Sequence, residues 1–365
     1  MGDEGNGTRV AFTLVTGAGA SHNFGVNGNS IPLMNEWSDR LIEKLSARNN
    51  SYPDALRLTK QLSGTEFEER IGTFLRIVDR FPMMEQILEP SLHFQASPGI
   101  ALGGTFATWF TTTKFHLDTI NGLLKESLNE LFGVDQFNLE AAAEAYAQLF
   151  QQFHVDRQYS VAMATTNYDI SGEVALERFG FTVDSGERPS VLGTGNSKLA
   201  IDKIVGGLPE RTPFLHLHGK IGWFESGGET YALPSNVRQA GADAIPIVML
   251  PDLEKSYESN LVINSIWEQF TTLISKSDRV LVLGHSLHDE YLVRVLRQHL
   301  SKPERLAISV HCSDNFSESE VLAMVNEEKR IESLFPQATV FRIDFAKDRF
   351  SLDDVYNSWV KKMAS

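Results

Sequence analysis

The sequence predicts an α/β protein: a parallel sheet with helices on both faces, interrupted by a large helical insertion. Three observations lead there. Strand-like runs such as Val10–Val15 and Leu306–Val310 are continuously apolar rather than alternating, as in strands buried on both faces. They alternate with segments of helical spacing, the rhythm of a doubly covered sheet. The stretch from Asn50 to Phe153 holds no convincing strand and reads as helix.

Taken in order, Val10–Val15 is a strand that runs into the glycine turn Gly17-Ala18-Gly19-Ala20-Ser21. Trp37, Leu41, Ile42 and Leu45 share helical spacing, and Phe67–Phe81, Thr105–Phe132 and Leu139–Phe153 read as helices. Tyr159–Ala164 is the next strand, followed by Thr165-Thr166-Asn167-Tyr168-Asp169 and a helix to about Phe179. Residues 182–212 are rich in Gly, Ser, Pro and charge and read as loops with short pieces of strand. Phe214–Leu217 is a strand ending in His218-Gly219, and Pro246–Leu250 is another apolar run. Leu261–Ser275 is a helix. Arg279–Leu283 is a strand ending in Gly284-His285-Ser286, with a helix to about Leu300. Leu306–Val310, Ser317–Leu334 and Ala338–Ile343 complete the order as strand, helix and strand. The expected organisation is a disordered terminus at 1–8, a sheet domain at 9–34 and 158–365, and a helical insertion at 35–157.

Composition excludes several classes. Lys plus Arg is 33 and Asp plus Glu is 47, a formal charge of −14, so a phosphate backbone is repelled and direct nucleic-acid binding is not expected. The single cysteine, Cys312, permits no intrachain disulfide and no Cys-rich zinc ribbon. A lone thiol fits a reducing cytoplasm. No apolar run nears the roughly 18 residues of a membrane span, and the polar, acidic start is no secretory signal.

In open parallel sheets, ligands bind beyond the carboxyl ends of the strands. Four such ends carry unusual residues. Gly17 and Gly19 suit a close backbone–phosphate approach, but a dehydrogenase fingerprint fails because His22 stands where its third glycine belongs. Asn167 and Asp169 put an amide and a carboxylate past a strand, although Asp169 could simply cap the next helix. His216 and His218, at i and i+2, would share a face if both lay on a strand; a third metal ligand at clear spacing is missing. His218 followed by Gly219 suits a general base with room for ligand. Ser286 to Asp289 reads as a capping box, which explains both residues structurally.

Taken together, the ordered set resembles the sirtuin family. Gly17-Ala18-Gly19-Ala20-Ser21 with Ile31-Pro32, Thr165-Thr166-Asn167-Tyr168-Asp169, His218-Gly219 and Gly284-His285-Ser286-Leu287 match its motifs in order, with Thr166 in place of Gln. Two departures weaken a protein-deacylase reading. Residues 220–283 lack the zinc-ribbon cysteines, and Leu33-Met34-Asn35 stands where Phe-Arg is usual. The helical insertion and Trp37 look like the sirtuin-like NADases of prokaryotic antiviral defence. That resemblance implies a Rossmann-like domain acting on NAD+ as substrate, without zinc. It implies Gly17, Ala18, Gly19 and Ser21 on the pyrophosphate, with Pro32 in the same pocket. It places Thr166, Asn167 and Asp169 on the nicotinamide ribose, and makes Asn167 and His218 catalytic. It places Gly284, Ser286 and Asn315 on the phosphate and adenosine side. It also implies a homo-oligomer with an external trigger, one known arrangement being a HerA-like hexameric ATPase. The alternatives are an NAD-dependent deacylase or ADP-ribosyltransferase, and a non-catalytic sensor of NAD or ADP-ribose.

Overall fold

A computed structural model describes residues 12–22, 24–26, 47, 136–152, 161–189, 197–205, 211–226, 228–233, 245–249, 260–313 and 315–344. The terminus 1–8, Pro32, Trp37 and the helices expected at 67–81 and 105–132 lie outside these residues. The chain divides into two compact units, residues 1–33 with 132–249 and 256–365, and residues 34–131 with 250–255. Every element named below belongs to the first.

The main sheet contains β1 (Phe12–Thr16), β2 (Val161–Thr165), β3 (Val183–Asp184), β6 (Thr212–His216), β10 (Val280–Leu283), β11 (Leu306–His311) and β12 (Thr339–Ile343). Its order is β12-β11-β10-β1-β2-β6-β3, parallel throughout. This is a Rossmann-like α/β sheet. From β1 the chain moves to β2 on one side and returns later to β10 on the other, so the crevice between β1 and β10 is the topological switch point.

The continuous apolar runs have their expected cause. β1, β2 and β10 are buried along their whole lengths. Successive side chains enter different cores. Val15, Val280 and Val282 pack with α4 (Leu261–Lys276), α5 (Glu290–His299) and α6 (Glu318–Leu334). Leu14, Leu281 and Leu283 pack with α2 (Leu139–Gln152) and α3 (Ser171–Arg178). Each fully buried Leu, Val or Phe here contributes about 1.5–3 kcal/mol of transfer free energy. α4 begins cleanly because Asn260 accepts hydrogen bonds from the Val262 and Ile263 amides.

The structure refines the sequence reading in two places. The helix at Leu139–Gln152, expected within the insertion, covers the main sheet. Ala142, Ala145, Tyr146, Leu149 and Phe150 recur at helical spacing and are all buried in the sheet's own core. The second refinement is an additional antiparallel sheet, β4 (Glu187–Pro189), β5 (Ser197–Leu199), β7 (Gly219–Ser226), β8 (Glu229–Ala232) and β9 (Ile245–Val248), in the order β4-β5-β8-β7-β9. Its hairpin β7–β8 stands where the sequence reading had no element. Gly228 lies in its turn at φ +77°.

Candidate active site at the strand ends

The four strand ends converge through hydrogen bonds. The amide of Gly17 donates to the Leu283 carbonyl and that of Gly19 to the Gly284 carbonyl, both at 3.0 Å. Gly284 sits at φ +64°, and a Cβ there would lie 2.2 Å from the Ala20 nitrogen. A Cβ on Gly17 would lie 2.7 Å from the Gly284 carbonyl oxygen. The glycines therefore let two chain segments meet at the switch point. In this structure the Gly17 and Gly19 amides, expected to face a pyrophosphate, donate to the end of β10. Ala18, exposed at the start of a single helical turn, α1 (Ala18–Ser21), lies beside them.

Asn167 joins the second strand end to the first. Its side-chain amide donates to the Gly17 carbonyl at 3.0 Å and to Ser21 Oγ at 2.8 Å. Its own backbone amide donates to Thr165 Oγ1 at 3.0 Å. With both amide protons committed, the ring-like turn holds the Asn167 carbonyl oxygen in one orientation. Thr166, half-buried, donates from its backbone to the Thr16 carbonyl. Asp169 accepts hydrogen bonds from the amide and hydroxyl of Ser171, so it also serves the start of α3. Burial pushes the Asp169 carboxyl above its ordinary value, against the pull of Ser171, Ser21 and His216. Tyr146 of α2 lies close enough to feel that charge. Burial, with Asp169 adding to it, holds its phenol proton firmly.

His218 is in the turn beyond β6, not on the strand, so the two histidines do not act as a same-face pair. His218 Nε2 lies 3.1 Å from Asp289 Oδ2. Its ring packs beside Trp267 of α4 at 6.5 Å between centroids. His216 instead meets Glu173 at 3.2 Å. Glu173 also binds Lys220 at 2.7 Å, and Lys220 binds Glu187 at 2.7 Å. Burial raises the Glu173 carboxyl, but the Lys220 cation and the His216 ring outweigh it and hold it below the ordinary range. Burial lowers Lys220, and its two carboxylates outweigh that and raise it. This cluster ties α3 and β6 to β4 and β7. Gly219, at φ +80°, has a structural reason as well: a Cβ would lie 2.1 Å from the Ile247 carbonyl oxygen of β9. The close approach of β7 to β9 therefore requires glycine at this position.

The capping box expected at Ser286 is corrected. Leu287 turns to φ +55° with its side chain buried, which breaks the helical path. The cap is Asp289, whose Oδ1 accepts from the Tyr291 and Leu292 amides at 3.0 and 3.2 Å. Ser286 is exposed, and its carbonyl accepts from Arg330. Asn315 is exposed in the turn after β11, with its amide 3.3 Å from Ser313 Oγ. Of the residues expected in the site, Gly17, Gly19, Ser21, Asn167 and Gly284 interlock directly. Asp169 and Thr166 adjoin them, and Ser286 and Asn315 are not tied to them by any hydrogen bond among the described residues.

Sequence reading missed Asp289 and Tyr146. Asp289 had a sufficient capping role, and Tyr146 reaches the site from α2. Among the described residues no group of His, Cys, Asp and Glu could hold a metal ion. Among them, too, no helix is long and apolar enough to cross a membrane.

Residues 161–334 match the family model of a SIR2-like domain. The match supports the sirtuin-like family and runs from the first residue of β2 to the last of α6. The glycine turn precedes it in sequence, yet the structure docks that turn onto Asn167 and Gly284 within it. No curated protein matches the chain.

Proposed function

We propose that this chain is an NAD+ hydrolase, cleaving NAD+ to nicotinamide and ADP-ribose. SIR2-like domains are NAD-dependent enzymes, which supports NAD+ as the substrate. The observation that carries the finer reading is the placement of a fixed Asn167 amide and a paired His218 just past the carboxyl ends of the neighbouring strands β2 and β6.

The chemistry suits these groups. Breaking the bond between ribose and nicotinamide leaves positive charge on the ribose and releases nicotinamide as a neutral molecule, so no acid is required. Water then adds to the ribose carbon and loses a proton. Asn167, with its amide protons committed, orients the ribose and the water through its carbonyl oxygen. His218 takes the proton, from that water or from a ribose hydroxyl. Ser21 holds Asn167 and contributes to the phosphate side with Gly17, Ala18 and Gly19. Pro32, Gly284, Ser286 and Asn315 belong to the same pocket in this reading, with Thr166 and Asp169 on the ribose. No zinc is needed for any step.

The wider role we infer is depletion of NAD+ in antiphage defence, in a homo-oligomer switched on by a partner such as a HerA-like ATPase. The sirtuin-like motifs and the inserted segment support it. The test is incubation of the purified chain with NAD+, alone and with the candidate ATPase, following nicotinamide and ADP-ribose by chromatography. Asn167→Ala and His218→Ala are each expected to lower turnover by about 10²–10⁴-fold with NAD+ binding retained. Binding without products under any condition overturns the hydrolase and favours a sensor. Products only with an acylated or acceptor protein favour a deacylase or transferase.

A further inference from the structure

We propose that Asp289 is the positioning residue for His218, an assignment that rests on His218 being the base. Two features of Asp289 bear on it. Its Oδ2 lies 3.1 Å from His218 Nε2. Its Oδ1 is held by the Tyr291 and Leu292 amides at the start of α5. A carboxylate can only accept, so Nε2 carries a proton, and a His218 that acts as the base does so through Nδ1. The helix N-terminus fixes the carboxylate, and the carboxylate fixes the ring.

The neighbourhood reinforces that geometry. Trp267 packs beside the His218 ring, and Tyr291 meets Trp267 edge-on with centroids 4.8 Å apart. Tyr291 is also the residue whose amide binds Asp289. The imidazole is thus held by a charge on one nitrogen and by an aromatic wall continuous with the cap. Both His218 and Asp289 are largely buried, with side-chain exposures of 10% and 5%, so solvent competes little for the pair. Asp289 is not itself assigned contact with the substrate. It sets the tautomer and aim of the group that takes the proton.

Capping and positioning can be separated by substitution. Asn and Ser cap helices about as well as Asp, but neither supplies a carboxylate to Nε2. In the full chain, under the conditions where the wild type turns over NAD+, Asp289→Asn and Asp289→Ser are expected to keep the wild-type melting temperature. They should lower kcat by about 10²-fold with KM little changed, the cost of a misplaced catalytic group. Asp289→Glu restores a carboxylate and should recover part of the loss. A second readout needs no activity. In the protein labelled with ¹⁵N-histidine, His218 should show a protonated Nε2 and an unprotonated Nδ1, and Asp289→Asn should abolish that signature. If the wild type cleaves NAD+ and Asp289→Asn turns over equally well, the positioning role is wrong and the hydrolase stands. If the wild type never cleaves NAD+, the hydrolase reading falls. The nitrogen signature then decides Asp289 alone: its loss in the variant upholds the pairing, and its persistence overturns it.

Discussion

Lys220→Met tests the buried cluster that joins the two sheets. Lys220 stands 2.7 Å from both Glu173 and Glu187, and its side chain is 11% exposed. Methionine matches the lysine stem as far as Cε and removes the ammonium group. Glu173 is then left buried with the His216 ring as its remaining partner, and Glu187 keeps the Trp223 indole at 2.9 Å. Breaking a buried pair from one side costs about 3–5 kcal/mol, because a charge stays buried without its counterion. The expected result is a loss of that size in urea unfolding. The pH dependence has a definite sign. Glu173 is held below its ordinary 4.5 in the folded protein, so its contribution is complete above that value and is lost as pH falls toward the folded one. Without Lys220, burial prevails and the Glu173 carboxyl rises instead. The deficit of the variant should then be largest near neutrality, begin to shrink as pH falls through the raised Glu173 value, and shrink further below 4.5 as the wild type loses its own contribution. Adding Glu173→Gln should recover part of the loss, measured as a coupling energy in a double-mutant cycle. A Lys220→Met protein within about 0.5 kcal/mol of wild type at neutral pH would refute this account.

Two further outcomes concern the scaffold. Gly284→Ala places a side chain at φ +64° and 2.2 Å from the Ala20 nitrogen. The left-handed backbone alone costs about 1–2 kcal/mol and the collision adds to it. A large drop in melting temperature is expected, with no turnover of NAD+ because the switch point has opened; wild-type stability would show that the two loops do not meet as described. Asn260→Ala removes the cap of α4, where Asn260 Oδ1 accepts from two amides at 3.0 and 3.1 Å. Chemical denaturation should show a loss of about 1 kcal/mol, and no change would mean the helix start is held otherwise.

The sequence by itself determined the parallel sheet. β-branched runs buried on both faces leave no other signature, and β1, β2, β10, β11 and β12 stand within two residues of where their apolar runs lie. It also marked Gly17, Asn167, His218 and Gly284 as chemistry-bearing strand ends. It could not assign α2 to the sheet, because an amphipathic helix shows that a face is buried and not against what. The hairpin β7–β8 was hidden in a stretch read only by its apolar runs, although Gly227-Gly228 between aromatic residues is a turn signal that could have found it. Only the tertiary structure decided the partners. Glycines that suit a phosphate are the same glycines that suit a carbonyl oxygen, and here Gly284 fills that role for Gly19. An aspartate that caps a helix with one oxygen has a second to give. That the second reaches His218, 71 positions away, is a fact of packing and not of local spacing.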